Sequence, residues 1–114
     1  MSQRNTNISL RHMLDHALEA VAMTEGKTRA DLDKDRQLNL ALVRLLEIIG
    51  EAASRIPKEE QTRYEDISWS EIVSLRNRLI HGYDTVDFDI LWQIINQDLP
   101  RLIESLRKVL TEEF

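Results

Sequence analysis

Apolar residues recur at intervals of three and four along most of this chain, and the few breaks in that period divide it into helices. From Ser9 to about Met23, Leu10, Met13, Leu14, Ala17, Leu18 and Val21 share one face, and Gly26 in Thr24-Glu25-Gly26-Lys27-Thr28 is a suitable C-terminal stop. A second helix is predicted from about Asp31 or Asp33 to Arg55, closed by Ile56-Pro57 because the residue before a proline resists helical geometry. Its core stripe is Leu38, Leu42, Leu45, Ile49, Ala52 and Ile56. At about 100° per residue, Leu40, Val43 and Ile48 fall outside that stripe, which leaves Arg44, Glu47 and Glu51 as the clear polar arc. A helix this apolar is buried on more than one side, either in the middle of a bundle or against a second subunit.

Lys58 to Tyr64 reads as a short helical piece and Glu65-Asp66-Ile67 as a connection. Ser68 and Glu71 have the spacing of a capping box. The helix they open turns Ile72, Leu75 and Leu79 inward and is expected to stop at Gly82. The last helix starts near Thr85 or Asp87 and carries Leu91, Ile95, Leu99, Leu102, Leu106 and Val109, with Pro100 expected to kink or restart it. Four main helices joined by short loops, plus one short extra helix, predict an all-α, up-and-down bundle forming a single domain over residues 1–114.

Composition narrows the function more than the fold. The chain has no cysteine, which removes disulfides and thiolate metal sites. Its N-terminus lacks the apolar segment of a signal peptide, and no apolar run approaches the roughly 18 residues of a membrane span, so the cytoplasm is the expected location. A formal net charge of -5 argues against broad affinity for nucleic acid, so any such role needs a local basic patch, including one assembled from two subunits.

Three patterns suggest chemistry and do not hold. Gly26-Lys27-Thr28 resembles the end of a phosphate-binding loop, but Val21 stands where that motif needs its first glycine. Asp31, Asp33 and Asp35 have the spacing of a calcium loop, yet Arg36 and Leu42 occupy its glycine and glutamate positions, so a charged helix start explains them better. His12 and His16, one turn apart beside Asp15, lack the further ligands a metal site requires. Trp69 and Trp92 are expected to anchor a core or an interface rather than to stack on bases. Glu47 and Glu51, also one turn apart, fit a solvated face or a partner for Arg44, and would orient a site only if one of them reached Arg76 or His81.

The stretch Arg76-Asn77-Arg78-Leu79-Ile80-His81-Gly82-Tyr83 concentrates the remaining chemistry. Histidine exchanges protons near neutral pH, and arginine offers a fixed fork of donors to a phosphate. His81 could take the proton of a ribose 2′-hydroxyl or protonate the leaving oxygen, while Arg76 neutralises charge on the phosphoryl oxygens. The 2′-hydroxyl restricts such chemistry to RNA. A plainer reading is that Arg76 and Arg78 favour a helix C-terminus and His81-Gly82 is its stop; the residues alone do not choose. Spacing also stands in the way, since residues five apart on a regular helix are about 140° and ~7.5 Å apart. They converge only if the helix loosens before Gly82, the arginine swings across, or a second copy faces the first.

The pattern R-N-x-x-x-H-x-Y, formed here by Arg76, Asn77, His81 and Tyr83, resembles the signature of the HEPN superfamily and its HepT-like ribonuclease toxins. Leu45-Leu46-Glu47-Ile48-Ile49-Gly50-Glu51-Ala52-Ala53 and Ile67-Ser68-Trp69 resemble the flanking segments of that family, so the likeness covers most of the chain. It implies a helical homodimer with two motifs in one cleft and a metal-independent endoribonuclease of a toxin-antitoxin system, with no cofactor and no metal. Arg76 and His81 would be catalytic, Asn77 a polar support and Arg78 a contact for RNA. The implied partner is a nucleotidyltransferase antitoxin that uses ATP to attach AMP to Tyr83. In a dimer, Arg55, Lys58 and Arg63 are expected at the rim of the cleft. The alternative is a non-catalytic helical subunit that binds nucleotide or partner in a nucleotidyltransferase complex, which the acidic balance favours.

Overall fold

The computed structural model describes residues 3–83 and 85–113 and is an all-α bundle carrying one two-residue hairpin. Helix α1 runs Gln3–Met23, longer at its start than its apolar stripe requires, and buries Leu10, Met13, Ala17 and Ala20. Gly26 follows with φ 74°, the left-handed turn that ends a helix at low steric cost.

The predicted second helix is two, α2 over Arg29–Lys34 and α3 over Arg36–Ser54. Asp35 separates them in extended geometry, and its carboxylate accepts the Leu38 N–H at 3.0 Å, so an acid expected inside one helix caps the next. The buried Asn39 amide donates to the Leu32 carbonyl at 2.9 Å and fixes the corner. Asp31 accepts from the Thr28 N–H and hydroxyl at the start of α2, and the backbone bond holds its carboxyl below the ordinary value. Asp33 pairs with Arg29 at 3.1 Å, so structural roles account for all three aspartates of the calcium-like spacing.

Helix α3 occupies the middle of the molecule. It packs on α1 along one side, on α5 and α6 along another, and on α2 at its start. Its expected stripe, Leu38, Leu42, Leu45, Ile49, Ala52 and Ile56, is buried, as is Leu46. Val43 and Ile48 are half-buried, and only Leu40 stands out, 52% exposed. The apolar girth of α3 is therefore largely consumed within one chain and does not by itself call for a second subunit.

Beyond the short α4 at Lys58–Gln61, the motif segment differs from expectation in three ways. Ser68 is the N-cap of α5 (Trp69–Val73), but its side chain makes no capping bond and there is no capping box; its ψ of 74° is far from the extended geometry that aims a hydroxyl at the first turn. The helix breaks at Ser74, whose hydroxyl donates to the carbonyls of Ser70 at 2.7 Å and Glu71 at 3.3 Å, and resumes as α6, Leu75–Leu79. It ends three residues before Gly82. Ile80–His81 (β1) pairs antiparallel with Thr85–Val86 (β2), Ile80 opposite Val86 and His81 opposite Thr85. Gly82, at φ 73°, makes the turn.

The C-terminal helix is continuous from α7 (Phe88–Gln93) through a π turn (Ile94–Asp98) into α8 (Leu99–Glu113). Pro100 does not restart it, since helical structure runs through the stretch without a break. The Leu99 N–H reaches back five residues to the Ile94 carbonyl, and this wider turn accommodates a proline that has no N–H and crowds the carbonyl four residues back. The Asn96 amide donates to the Trp92 carbonyl at 2.9 Å within the same stretch. Both tryptophans are half-buried against the core, and the Trp69 ring N–H donates to the Tyr64 carbonyl at 3.1 Å. No described helix is long and apolar enough to cross a membrane.

At Gly50 the backbone of α5 approaches α3 closely: a Cβ there would lie 3.1 Å from the Ile72 carbonyl oxygen. Gly50→Leu is expected to cost about 1–3 kcal/mol, read as a lower urea midpoint. Gly50→Ala should cost less, because the misfit is a few tenths of an ångström and alanine favours the helix.

Candidate active site

The site residues lie on the last turns of α6 and on the hairpin that follows. Arg76 projects from α6 with its Nε 3.3 Å from the Glu47 Oε2 of α3, so Glu47 reaches the motif while Glu51 pairs with Arg55 at 3.2 Å. The Arg44 partner expected for these acids is not the one they take. Arg78 leaves the same helix toward the π turn, its Nη1 3.0 Å from the Asp98 Oδ2, and that pair is the more sheltered of the two. Arg78 is thus a brace between α6 and the C-terminal helix before it is a contact for RNA. Asn77 is exposed and makes no side-chain hydrogen bond among the described residues, so no neighbour explains a supporting role.

His81 stands on β1, off the helix. Its side chain is 60% exposed, with Nε2 3.9 Å from the Asp87 Oδ2. Of the three conditions under which Arg76 and His81 could converge, the fold meets the first, a helix that loosens before Gly82: α6 ends at Leu79 and His81 stands on a strand. The two side chains keep separate partners, Glu47 and Asp87. Tyr83, at the tip of the turn, is 91% exposed.

Arg76, Arg78 and the His81 imidazole thus each face an acid, and both motif arginines are matched by a carboxylate. Arg76, His81 and Tyr83 do not line the groove of about 500 Å³ between α1 and α3, which is bordered by Ile8, His12, Arg44 and Arg55 among others. His16 directs its Nδ1 to the His12 carbonyl at 2.7 Å, and no group of three or more His, Asp or Glu side chains gathers as a metal site among the described residues. Arg55 and Arg63 each pair with an acid of their own segment, Glu51 and Glu60.

Asp87 is the residue that sequence reasoning passed over, having named it only as a possible helix start. Its Oδ1 accepts the N–H groups of Asp89 at 3.0 Å and Ile90 at 3.1 Å, and its own N–H donates to the Leu79 carbonyl at 2.9 Å. Helix capping was legible in its spacing; the approach to His81 depends on a hairpin that the periodicity did not reveal. From the other side, Arg29 binds Asp89 at 2.7 Å and lies over the Phe88 ring, and these carboxylates, Asp89 foremost, raise its pKa.

The fold and site together are those of a small helical bundle that presents Arg-Asn on a short helix and an exposed histidine and tyrosine on the hairpin after it. A family model described as "Ribonuclease HepT-like" matches residues 13–109, and the chain belongs to that family. It is 36% identical over 104 residues to a candidate RNase of Caldanaerobacter subterraneus subsp. tengcongensis, covering 91% of this chain and 93% of the relative. It is 37% identical over 102 residues to a candidate ribonuclease HepT of Thermococcus cleftensis, covering 83% and 93%. A candidate RNase of Methanocaldococcus jannaschii is 32% identical over 109 residues, covering 96% and 100%. No solved structure matches the chain significantly.

Since Arg76 is largely exposed and Glu47 partly so, Glu47→Gln should change unfolding free energy by less than about 1 kcal/mol. The same substitution should weaken retention of Arg76 beside α3, visible as altered NMR shifts of its Nε–H.

Proposed function

We propose that the protein is a metal-independent endoribonuclease acting as the toxin of a toxin-antitoxin pair, restrained by a nucleotidyltransferase that attaches AMP to Tyr83. The observation that carries this reading is the complete motif in a family of ribonucleases, with His81 and Tyr83 both exposed on one hairpin. In the reaction, His81 takes the proton of a ribose 2′-hydroxyl as that oxygen attacks phosphorus. The 5′-oxygen leaves with the P–O electron pair and is protonated, giving a 2′,3′-cyclic phosphate and a 5′-hydroxyl. Arg76 turns from Glu47 to the phosphoryl oxygens and offsets their charge.

A second copy of the chain fits this reading. Arg76 and His81 are exposed on one chain and lie outside the groove between α1 and α3, and two such surfaces face to face would enclose an RNA strand and double the motif arginines on it. In the restrained state, the Tyr83 phenol oxygen attacks the α-phosphorus of ATP, pyrophosphate leaves and the phenolic proton is lost. The anionic adduct then stands two residues from His81 and excludes an RNA phosphate by volume and repulsion.

Purified protein free of AMP is expected to cut RNA in EDTA, and Arg76→Ala and His81→Ala each to reduce cutting at least about 100-fold. Full activity in His81→Ala would refute the mechanism. Binding of nucleotide or of the transferase with no RNA cleavage would favour instead a non-catalytic subunit, a reading supported by the acid facing each motif arginine. Co-expression with an active nucleotidyltransferase partner should add the mass of AMP to the intact protein, and Tyr83→Phe should abolish the gain; an unchanged mass counts against the antitoxin model.

A further inference from the structure

We propose that Asp87 is the positioning residue for His81, holding the imidazole with Nε2 toward its carboxylate so that Nδ1 is the nitrogen presented to RNA. The inference rests on the ribonuclease reading above for its consequence, though not for its geometry.

The hairpin register produces the juxtaposition. His81 lies opposite Thr85, so Asp87, two residues further on, is its diagonal neighbour on the same face. The bond from the Asp87 N–H to the Leu79 carbonyl, 2.9 Å long, closes the hairpin at its base and keeps the two strands in that register. The carboxylate is not free to turn. Two backbone donors of α7 hold Oδ1, which leaves Oδ2 facing His81 Nε2 at 3.9 Å. Helix α7 is itself pinned at its first residues by Arg29 through Asp89 and the Phe88 ring. The motif arginines do not compete for this acid, since Arg76 is drawn to Glu47 and Arg78 to Asp98.

A separation of 3.9 Å is longer than a hydrogen bond, and catalytic contacts of this kind tighten when substrate is bound. Even at that distance a fixed carboxylate favours the proton on the nearer nitrogen. The neutral ring then keeps its lone pair on Nδ1, as a base for the 2′-hydroxyl, and the imidazolium formed by proton transfer faces a negative charge. The arrangement follows the general logic of a base oriented by a third group.

The test compares wild type with D87N and D87S in the full chain. Asparagine and serine both cap helices well, so α7 is retained while the charge is lost. The asparagine amide can direct an N–H at Nε2, whereas serine is too short to reach it. Nitrogen-15 NMR of His81, assigned by its loss in H81A, reads the tautomer with no need for activity. Wild type should carry its neutral-ring proton on Nε2, D87N should shift it toward Nδ1, and D87S should give a mixture. With RNA, both variants should lose at least about 100-fold in kcat with KM within about twofold. If D87N does not fold, D87S alone decides by the same two readings. The same tautomer in all three proteins overturns the proposal, as does a changed tautomer with unchanged kcat. A wild type that cuts no RNA refutes the ribonuclease reading instead, and the tautomer comparison still decides whether Asp87 sets the ring.

Discussion

The close approach of α5 to α3 at Gly50 governs the rest of the molecule. With no side chain at that position, the backbone of Ile72 and Val73 lies directly on α3, and α6, which continues from α5 after one residue, is set down along the same surface. Glu47 is one helical turn before Gly50 and Arg76 one turn after Ile72, so the ion pair between them follows from how the two helices meet. A bulkier residue at Gly50 would push α5 outward and carry the motif with it. The glycine is therefore as much a determinant of the site as the arginine.

The second determinant is the place where α6 stops. Had the helix continued to Gly82, Arg76 and His81 would have pointed to different sides of one rod. Ending at Leu79 and pairing Ile80–His81 with Thr85–Val86 turns the imidazole onto a strand and places the tyrosine at a solvent-facing tip. The hairpin is very short and gains little from its own ladder. Its stability comes from what it is tied to: Asp87 closes its base and caps α7, Arg29 fastens α7 to α2, and Arg78 ties α6 to the π turn. The exposed Tyr83 thus stands on a firmly braced base.

Periodicity made the helices of this fold readable because burial on one face repeats every three or four residues, and Leu38, Leu42, Ile49, Leu75, Leu79 and Leu106 are all buried as the pattern requires. Breaks that rest on hydrogen bonds left no such trace. In the sequence Asp35 is one acid among several, whereas its carboxylate accepts the Leu38 N–H, and the Ser74 hydroxyl interrupts the motif helix without a glycine or proline to mark it. Pro100 did mark a disturbance, but the helix absorbed it one turn earlier through the π bonding of Leu99 to Ile94. Of the site, the motif itself was legible, and so was the condition under which Glu47 would join it. The role of Asp87 was not, because it requires a strand pairing too short for alternation of polar and apolar residues to reveal.

The acids opposite Arg76, Arg78 and the His81 imidazole give the acidic net charge a specific meaning. An exposed ion pair such as Arg76–Glu47 contributes at most about 1 kcal/mol, so exchanging the carboxylate for an RNA phosphate costs the fold little. Arg78–Asp98, more sheltered, costs more to open and serves the structure. On the ribonuclease reading, Glu47 holds Arg76 in a defined place when no RNA is present, at a distance from which the guanidinium can turn to a phosphate. A ridge of unpaired cations would attract any polyanion. One whose charges are already matched binds only where a phosphate can displace Glu47 while the adjoining ribose meets His81, and this requirement favours a particular backbone geometry over charge alone.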